Sequence, residues 1–250
     1  MRVILTLILF ASVSWSAFWI WAGQNYKADL NALILNSQSA GWKMDVDDTN
    51  LYGYPNRFDI TLKNPRIRSE KLNFGWRGDF LQILRLSYKK DHFIIVFPKI
   101  HQVKIGDSWF DVTSESLSAS VVIAKDSNPR IVLDANTVKL YNGVLDLTFD
   151  KVQMAFLQIR PHFKLWLTLN NTKAKSLKKW KSLTVSADLI SGLQEQKYGV
   201  PIFDLSSLVL ENTTILINGT RVFEKRHPTK FYDLLLEVQV FLVGYDILAY

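Results

Sequence analysis

Residues 3–22 read VILTLILFASVSWSAFWIWA, and this stretch decides where the rest of the fold lies. It carries no charge between Arg2 and Lys27. A helix rises about 1.5 Å per residue, so roughly 20 residues cross a hydrocarbon layer about 30 Å thick. Trp15, Trp19 and Trp21 crowd its distal end, where amphipathic rings favour the membrane–water boundary. The stretch predicts a transmembrane anchor over residues 1–24.

A cleaved signal peptide is the alternative. Its apolar region would be Val3–Val13, with Ser14 and Ser16 as small residues before the cut. The apolar run continues through Trp21, beyond what a signal peptide requires, which favours a retained anchor. A long folded domain follows, so we expect a single-pass protein of the bacterial inner membrane with its bulk in the periplasm.

By length, the rest of the chain can hold one large β-rich domain or two small ones, and we expect one envelope-facing β-rich domain over residues 25–250. The chain has no cysteine, which fits a bacterial envelope protein without disulfides. Its net charge of +7 could suit nucleic acid or an anionic membrane surface. A translocated domain does not normally meet nucleic acid, so membrane lipid is the expected partner, and nucleic acid is not.

Two segments outside the sheet have helical periodicity. Residues 24–39 place Leu30, Leu33 and Ile34 on one stripe, with Gly41 as a stop signal. The last segment follows Pro228 and forms an amphipathic helix, which we expect to cover the sheet rather than lie on the membrane. Its apolar positions are Phe231, Leu234, Leu235, Val238, Phe241, Leu242 and Tyr245.

Between these helices, apolar and polar residues alternate with a period of two, as in a half-buried β-strand. In residues 57–62, Phe58, Ile60 and Leu62 form one face, and Arg57 and Asp59 share the other, where they can pair. Similar alternation recurs from residue 130 to residue 217, and Asn142-Gly143 is a strong hairpin signal. The sequence therefore predicts a mainly β (α+β) fold: a transmembrane helix, a helix packed on a large curved antiparallel β-meander, and a C-terminal amphipathic helix.

The segment 41–125 resembles an uncharacterised family of alphaproteobacterial, membrane-anchored envelope proteins of unknown function. The resemblance rests on a motif of Gly53, Tyr54, Pro55, Arg57, Phe58 and Asp59, together with Gly41-Trp42, Asn64-Pro65, Trp76, Leu81-Gln82 and Ser87-Tyr88. It implies a structural or interaction role for the motif and supplies no catalytic residues. The order of anchor, helix and β-meander is also similar, at the level of architecture, to AsmA-like proteins, whose curved sheets hold acyl chains.

No catalytic, metal-binding or cofactor-binding motif is present in the sequence. The four histidines are scattered without an HExxH pattern, and no GxSxG, Walker loop or GxGxxG occurs. We therefore expect a protein that is not an enzyme and holds no cofactor or metal. The densest positive run contains Lys175, Lys178, Lys179 and Lys181, which form either a solvated loop or a contact with anionic headgroups.

Three functions are open, and the third in order is a hydrolase of cell-wall or lipid substrates, which would need carboxylates or histidines converging in one cleft. The anchor and the many apolar strand faces favour a protein that binds or helps transfer lipid, or another apolar ligand, in a curved β-sheet groove. The alternative is a non-enzymatic scaffold that binds another envelope protein through a strand edge or through the Arg57–Asp59 face.

Overall fold

The computed structural model describes most of the chain. The described residues are 1–39, 41–70, 73–123, 130–143, 146–159, 162–174, 180–191, 193–195, 201–203, 209–230, 233–234 and 237.

One long helix, α1 (Arg2–Ser39), begins the fold, and strands follow it. The strands are β1 (Lys43–Asp45), β2 (Asp48–Tyr52), β3 (Arg57–Lys63), β4 (Arg66–Ser69), β5 (Phe74–Gly78), β6 (Phe80–Leu86), β7 (His92–Val96), β8 (Ile100–Ile105), β9 (Ser108–Thr113), β10 (Ser116–Val122), β11 (Arg130–Tyr141), β12 (Asp146–Ile159), β13 (His162–Ala174), β14 (Trp180–Ser191), β15 (Leu193–Glu195), β16 (Pro201–Phe203), β17 (Val209–Ile217), β18 (Thr220–Lys225) and β19 (Thr229–Lys230).

Helix α1 unites the predicted anchor and the predicted second helix without a break. Its apolar part is long and hydrophobic enough to cross a membrane by length and composition. The helix ends where Gly41 adopts a φ of +82° and donates its N–H to the Gln38 carbonyl at 3.0 Å. A glycine in the left-handed region is a common helix stop because it has no Cβ to clash with the preceding turn.

The large antiparallel sheet divides at β11. One edge of β11 pairs along its whole length with β12. The other edge pairs first with β10 and then, from Lys139 to Tyr141, with β9. From β10 the ladder continues through β7, β6, β3 and β2, and from β9 it continues through β8, β5, β4 and β1. The predicted meander order therefore holds from β10 to β14, whereas β3–β6, β5–β8 and β7–β10 are non-sequential pairs.

The two branches fold onto each other and enclose the main core. Phe58, Ile60 and Leu62 of β3 are at most 2 % exposed, as their alternation predicts, and they pack in one cluster with Trp76 of β5 on the other branch. Side chains of α1, among them Tyr26, join the same cluster. The helix and both branches thus share one hydrophobic core.

Residues in the left-handed region interrupt the long strands. Thr137, Asn171 and Asn212 lie in β11, β13 and β17 with φ of 49° to 51°. The pairing register is unchanged across Thr137 and Asn171, whereas the β14–β17 register shifts beside Asn212, as at a β-bulge. On β11 the inward set skips a residue at Thr137, because Ala135 and Val138 are both buried. A left-handed residue departs from extended backbone geometry, so these positions favour a curved sheet over a flat one.

The predicted C-terminal helix falls mostly outside the described residues. Asp233, Leu234 and Glu237 are described, and all three are helical. Leu234 is buried against Phe156 and Leu210, so this part of the chain covers one end of the sheet.

Replacing a core residue tests the shared core. We expect Ile60→Ala to lower the free energy of unfolding by about 2–5 kcal/mol, because the lost methyl groups leave a cavity at a fully buried site. Thermal unfolding of the full chain in detergent, followed by circular dichroism, measures the loss. Ile94→Ala on β7, where the side chain is 43 % exposed, is the matched control and should cost about 1 kcal/mol or less. Equal losses for the two variants would contradict the assignment of the core.

Candidate functional site: the junction and the apolar face

The β2–β3 hairpin docks along helix α1, and we call this contact the junction. Three hydrogen bonds form it. They join Trp15 Nε1 to the Pro55 carbonyl at 3.1 Å, Ser16 Oγ to Tyr54 Oη at 2.8 Å, and Trp19 Nε1 to the Arg57 carbonyl at 2.9 Å. Further along the helix, Lys27 Nζ donates to the Thr49 carbonyl at 2.8 Å. The hairpin tip therefore points toward the N-terminus of α1.

Aromatic rings fill the junction. Trp19 stacks on Phe58 with ring centroids 5.5 Å apart and meets Tyr54 edge-on at 5.6 Å. Tyr26 lies two turns further along the same face of the helix, 6.3 Å from the Phe58 ring. Gly23 sits between them, where an added Cβ would come within 2.4 Å of Leu51. The small residue lets the hairpin approach the helix closely.

The GYPxRFD motif builds this junction. Gly53 turns the chain with φ +99°, and the Tyr54–Pro55 peptide is cis. Arg57 Nε pairs with the Asp59 carboxylate at 3.0 Å, as the shared strand face predicts. Five of the six motif residues thus contact α1, form the turn or pair with each other, while Phe58 fills the core. In the structure the motif forms the turn and the contact with α1. An interaction role for the motif stays a prediction.

A groove opens beside the junction, between α1 and the branch that carries β6 and β7. We call it the junction groove, and its volume is about 400 Å³. Its lining is largely apolar and includes Leu30, Leu33, Ile83, Phe93, Ile95 and Val121. Arg85, Lys90, Asp29 and Asp91 add charged groups.

Arg85 is the half-buried cation of the junction groove. Its guanidinium lies 3.7 Å from the centre of the Tyr26 ring and 5.3 Å from that of Phe58. Its Nε is buried with no hydrogen-bond partner among the described residues. Burial lowers the pKa of Arg85 from its ordinary value. The guanidinium, stacked on Tyr26 of α1 and Phe58 of β3, therefore attaches the helix to the sheet.

The long strands carry a second feature, which we call the apolar face. Inward positions on neighbouring strands are paired in register, so apolar side chains form continuous rows. The face consists of Ile131, Leu133, Ala135, Val152, Met154, Phe156, Leu165, Leu167, Leu169, Leu183, Val185, Ala187, Ile215 and Ile217. The opposite side of the same strands is mostly polar, with Gln153, Thr168 and Thr184 paired in register.

The middle of the apolar face is only half-buried. One end is covered by the cluster that contains Phe163 and Leu234, and the other by the cluster around Val138 and Phe149. Between them, the row Leu133, Met154, Leu167 and Val185 belongs to neither cluster, and all four side chains are of intermediate exposure. Apolar surface of this extent, left partly open to solvent, commonly marks a binding site.

A polar recess of about 390 Å³ lies on the outside of the other branch, with His101, Arg77, Gln102 and Asp111 in its lining. Its side chains bond to each other, since Arg77 donates to Gln102 and Gln102 donates to Asp111. His101 Nδ1 is 3.1 Å from the Pro98 carbonyl, and burial lowers its pKa. The described residues here form no pair of nucleophile and base.

The remaining sequence predictions concern cations and metals. Lys181 is exposed at the start of β14, while Lys175, Lys178 and Lys179 lie outside the described residues. The part of the chain that the structure describes holds no group of three acidic or histidine side chains able to bind a metal ion. The absence of a metal and of an enzymatic activity stays a prediction. Sequence reasoning missed Arg85, because only the β3–β6 pairing brings it to Phe58.

Together, the apolar helix and the large sheet define a class of protein with a membrane-length N-terminal helix and a β-rich body. The family described as an uncharacterized protein conserved in bacteria (DUF2125) matches residues 19–162, and the chain belongs to this family. The match includes the junction from Trp19 onward. No curated protein and no solved structure matches the chain.

The turn glycine tests the junction. We expect Gly53→Ala to destabilise the fold by about 2–3 kcal/mol, because the new Cβ would be strained at φ +99° and would meet Arg57 Cβ at 2.7 Å. Gly106→Ala is the control, since it has a φ of +60° with open space around it and should cost about 1 kcal/mol. Thermal unfolding of both variants gives the comparison. A Gly53→Ala loss no larger than that of the control would show that the close approach to Arg57 is dispensable.

Proposed function

We propose that this protein is a non-enzymatic, membrane-anchored protein of the bacterial inner membrane, with its body in the periplasm, that binds or helps transfer lipid. The apolar face holds acyl chains, as in the architecturally similar AsmA-like proteins. The observation that carries the proposal is the half-buried row of Leu133, Met154, Leu167 and Val185, in register across four strands. No cofactor is needed for this activity.

The physical basis is the removal of hydrocarbon from water. An acyl chain laid along the row would bury its own methylenes and the partly open side chains beneath it, at about 25 cal/mol for each Å² of apolar surface. The left-handed residues Thr137, Asn171 and Asn212 support a curved sheet, and a curved sheet surrounds an acyl chain better than a flat one. Polar side chains on the opposite face favour contact with water there.

The junction groove supports an origin of the ligand in the membrane. It is lined by Leu30 and Leu33 of α1, roughly 12–16 Å beyond Ala22 along the helix. The groove therefore lies just outside the bilayer if residues 3–22 span it. The lysines near residue 180 are a further candidate for headgroup contact.

A protein scaffold is the alternative function, through the Arg57–Asp59 face or a strand edge. The two charges on that face already pair with each other at 3.0 Å, so they offer less to a partner than free charges would. The apolar face is thus the better-supported site, and the experiment below distinguishes the two functions.

Photochemical cross-linking in intact bacterial membranes tests the proposal. A photoreactive phenylalanine analogue replaces Leu167 on the apolar face. The control places it at Trp166, the preceding residue on β13, which lies on the opposite side of the sheet and is 36 % exposed. We expect lipid adducts, identified by mass spectrometry, at position 167 and not at position 166.

Two outcomes would contradict lipid binding on this face. One is an equal yield of lipid adducts at both positions, which would reflect contact with the membrane surface. The other is no lipid adduct at position 167. Protein adducts in place of lipid at position 167 would overturn lipid binding in favour of the scaffold function.

A further inference from the structure

We propose that the tip of the β2–β3 hairpin and the adjoining β6–β7 turn form a foot, residues 52–56 and 87–90, that lies in the headgroup region and the adjoining edge of the hydrocarbon of the bilayer crossed by α1. The occupant of this surface is lipid. The inference depends on α1 spanning a membrane, and it goes beyond lipid binding on the apolar face, which it does not require.

The length of α1 between Arg2 and its contact with the hairpin determines how deep the hairpin tip lies. The hairpin tip binds α1 at Trp15, through the Pro55 carbonyl. Between the charged Arg2 and Trp15 lie about 12 residues, which rise roughly 18 Å as a helix and fall well short of the 30 Å of a hydrocarbon core. The span must therefore continue past Trp15 toward Ala22, about 10 Å further. Any bilayer crossed by α1 has to accommodate the tip beside the helix.

The direction of the hairpin agrees with this depth. Contacts run from Trp15 with Pro55 to Lys27 with Thr49. These 12 residues of helix rise about 18 Å, and the 6 residues from Thr49 to Pro55, which include the end of β2 and part of the turn, extend at most about 20 Å. Helix and hairpin thus run side by side over the same length, and the tip is the part nearest to the N-terminus of α1.

The chemistry of the foot suits the membrane–water boundary. Tyr52, Tyr54 and Tyr88 are more than half exposed, at 58 %, 55 % and 72 %. Tyrosine is enriched at this boundary because its ring is apolar and its hydroxyl is polar. Ser87 N–H donates to the Asn56 carbonyl at 2.9 Å, which joins the two turns into one surface.

Charge on the foot favours lipid over a protein partner of mixed charge. Lys89 and Lys90 are exposed, and residues 52–56 and 87–90 contain no acidic side chain. Cations next to a membrane segment are attracted to anionic headgroups and can extend toward them from the boundary. The surface is also continuous with the exposed Trp15 and Trp21 of α1, which have the same boundary preference.

The absence of cysteine allows a direct test of depth. A single cysteine at Asn56→Cys carries an environment-sensitive fluorophore, in the full chain reconstituted into vesicles of phosphatidylethanolamine and phosphatidylglycerol. The control is Glu70→Cys, an exposed position near the far end of α1, where Lys43 pairs with it. We expect blue-shifted emission at position 56, strong quenching by lipids that carry a quencher near the headgroup, and weak quenching by aqueous iodide. Position 70 should show the reverse.

Water-like emission and full iodide quenching at position 56 would overturn the foot. Equal protection of positions 56 and 70 would overturn it as well, because burial would then not be specific to the hairpin tip. Circular dichroism of both labelled proteins confirms that each is folded. Since no readout involves the apolar face, failure here leaves the cross-linking result at Leu167 unaffected, and the two proposals fail separately.

Discussion

The packing of Phe58 against Trp19 and Tyr26 connects the two halves of this molecule. One α-helix provides the membrane-length segment and also a wall of the main core. Its residues at Trp19, Gly23 and Tyr26 are spaced by three or four, so they share one helical face, which meets β2 and β3. Because this face packs on the sheet, the helix itself, rather than a linker, sets the position of the β-rich body relative to the membrane-length segment.

The division of the sheet at β11 follows from what a large sheet must bury. The two branches cover each other and α1 closes the core between them, so the residues of β3 are fully buried. Strands β12 to β14 have no second branch opposite them in the described part of the chain. Their apolar rows are covered at the ends, where Leu234 and Val112 contribute, and the middle row keeps partial exposure. The same sheet thus contains a closed core and a partly exposed apolar face, which is the physical basis of the proposed lipid site.

Local patterns in the sequence predicted much of the fold. The alternation at Phe58, Ile60 and Leu62 identified the core face of β3, and Asn142-Gly143 marked the end of β11, where Gly143 has φ +88°. The change of phase between Leu133 and Val138 is the sequence signal of the left-handed backbone at Thr137. Non-sequential pairs such as β3–β6 were not predictable, because local periodicity does not encode which distant strand is the partner. The polar edge strand β2 was missed, since DTNLY lacks apolar alternation.

At the candidate site, too, the sequence does not show which distant groups are partners. The tryptophans of residues 15–21 were interpreted as a membrane belt, which accounts for their rings but not for their N–H groups. In hydrocarbon, an indole N–H without an acceptor costs free energy, so a tryptophan at that depth needs a partner. Trp15 and Trp19 find theirs in the carbonyls of Pro55 and Arg57, groups that a turn and the start of a strand leave available. The junction therefore satisfies donors on the helix and acceptors on the hairpin together. This reciprocity explains why a turn rich in Gly, Tyr and Pro lies beside an apolar helix, where a bare turn would leave its backbone groups without partners.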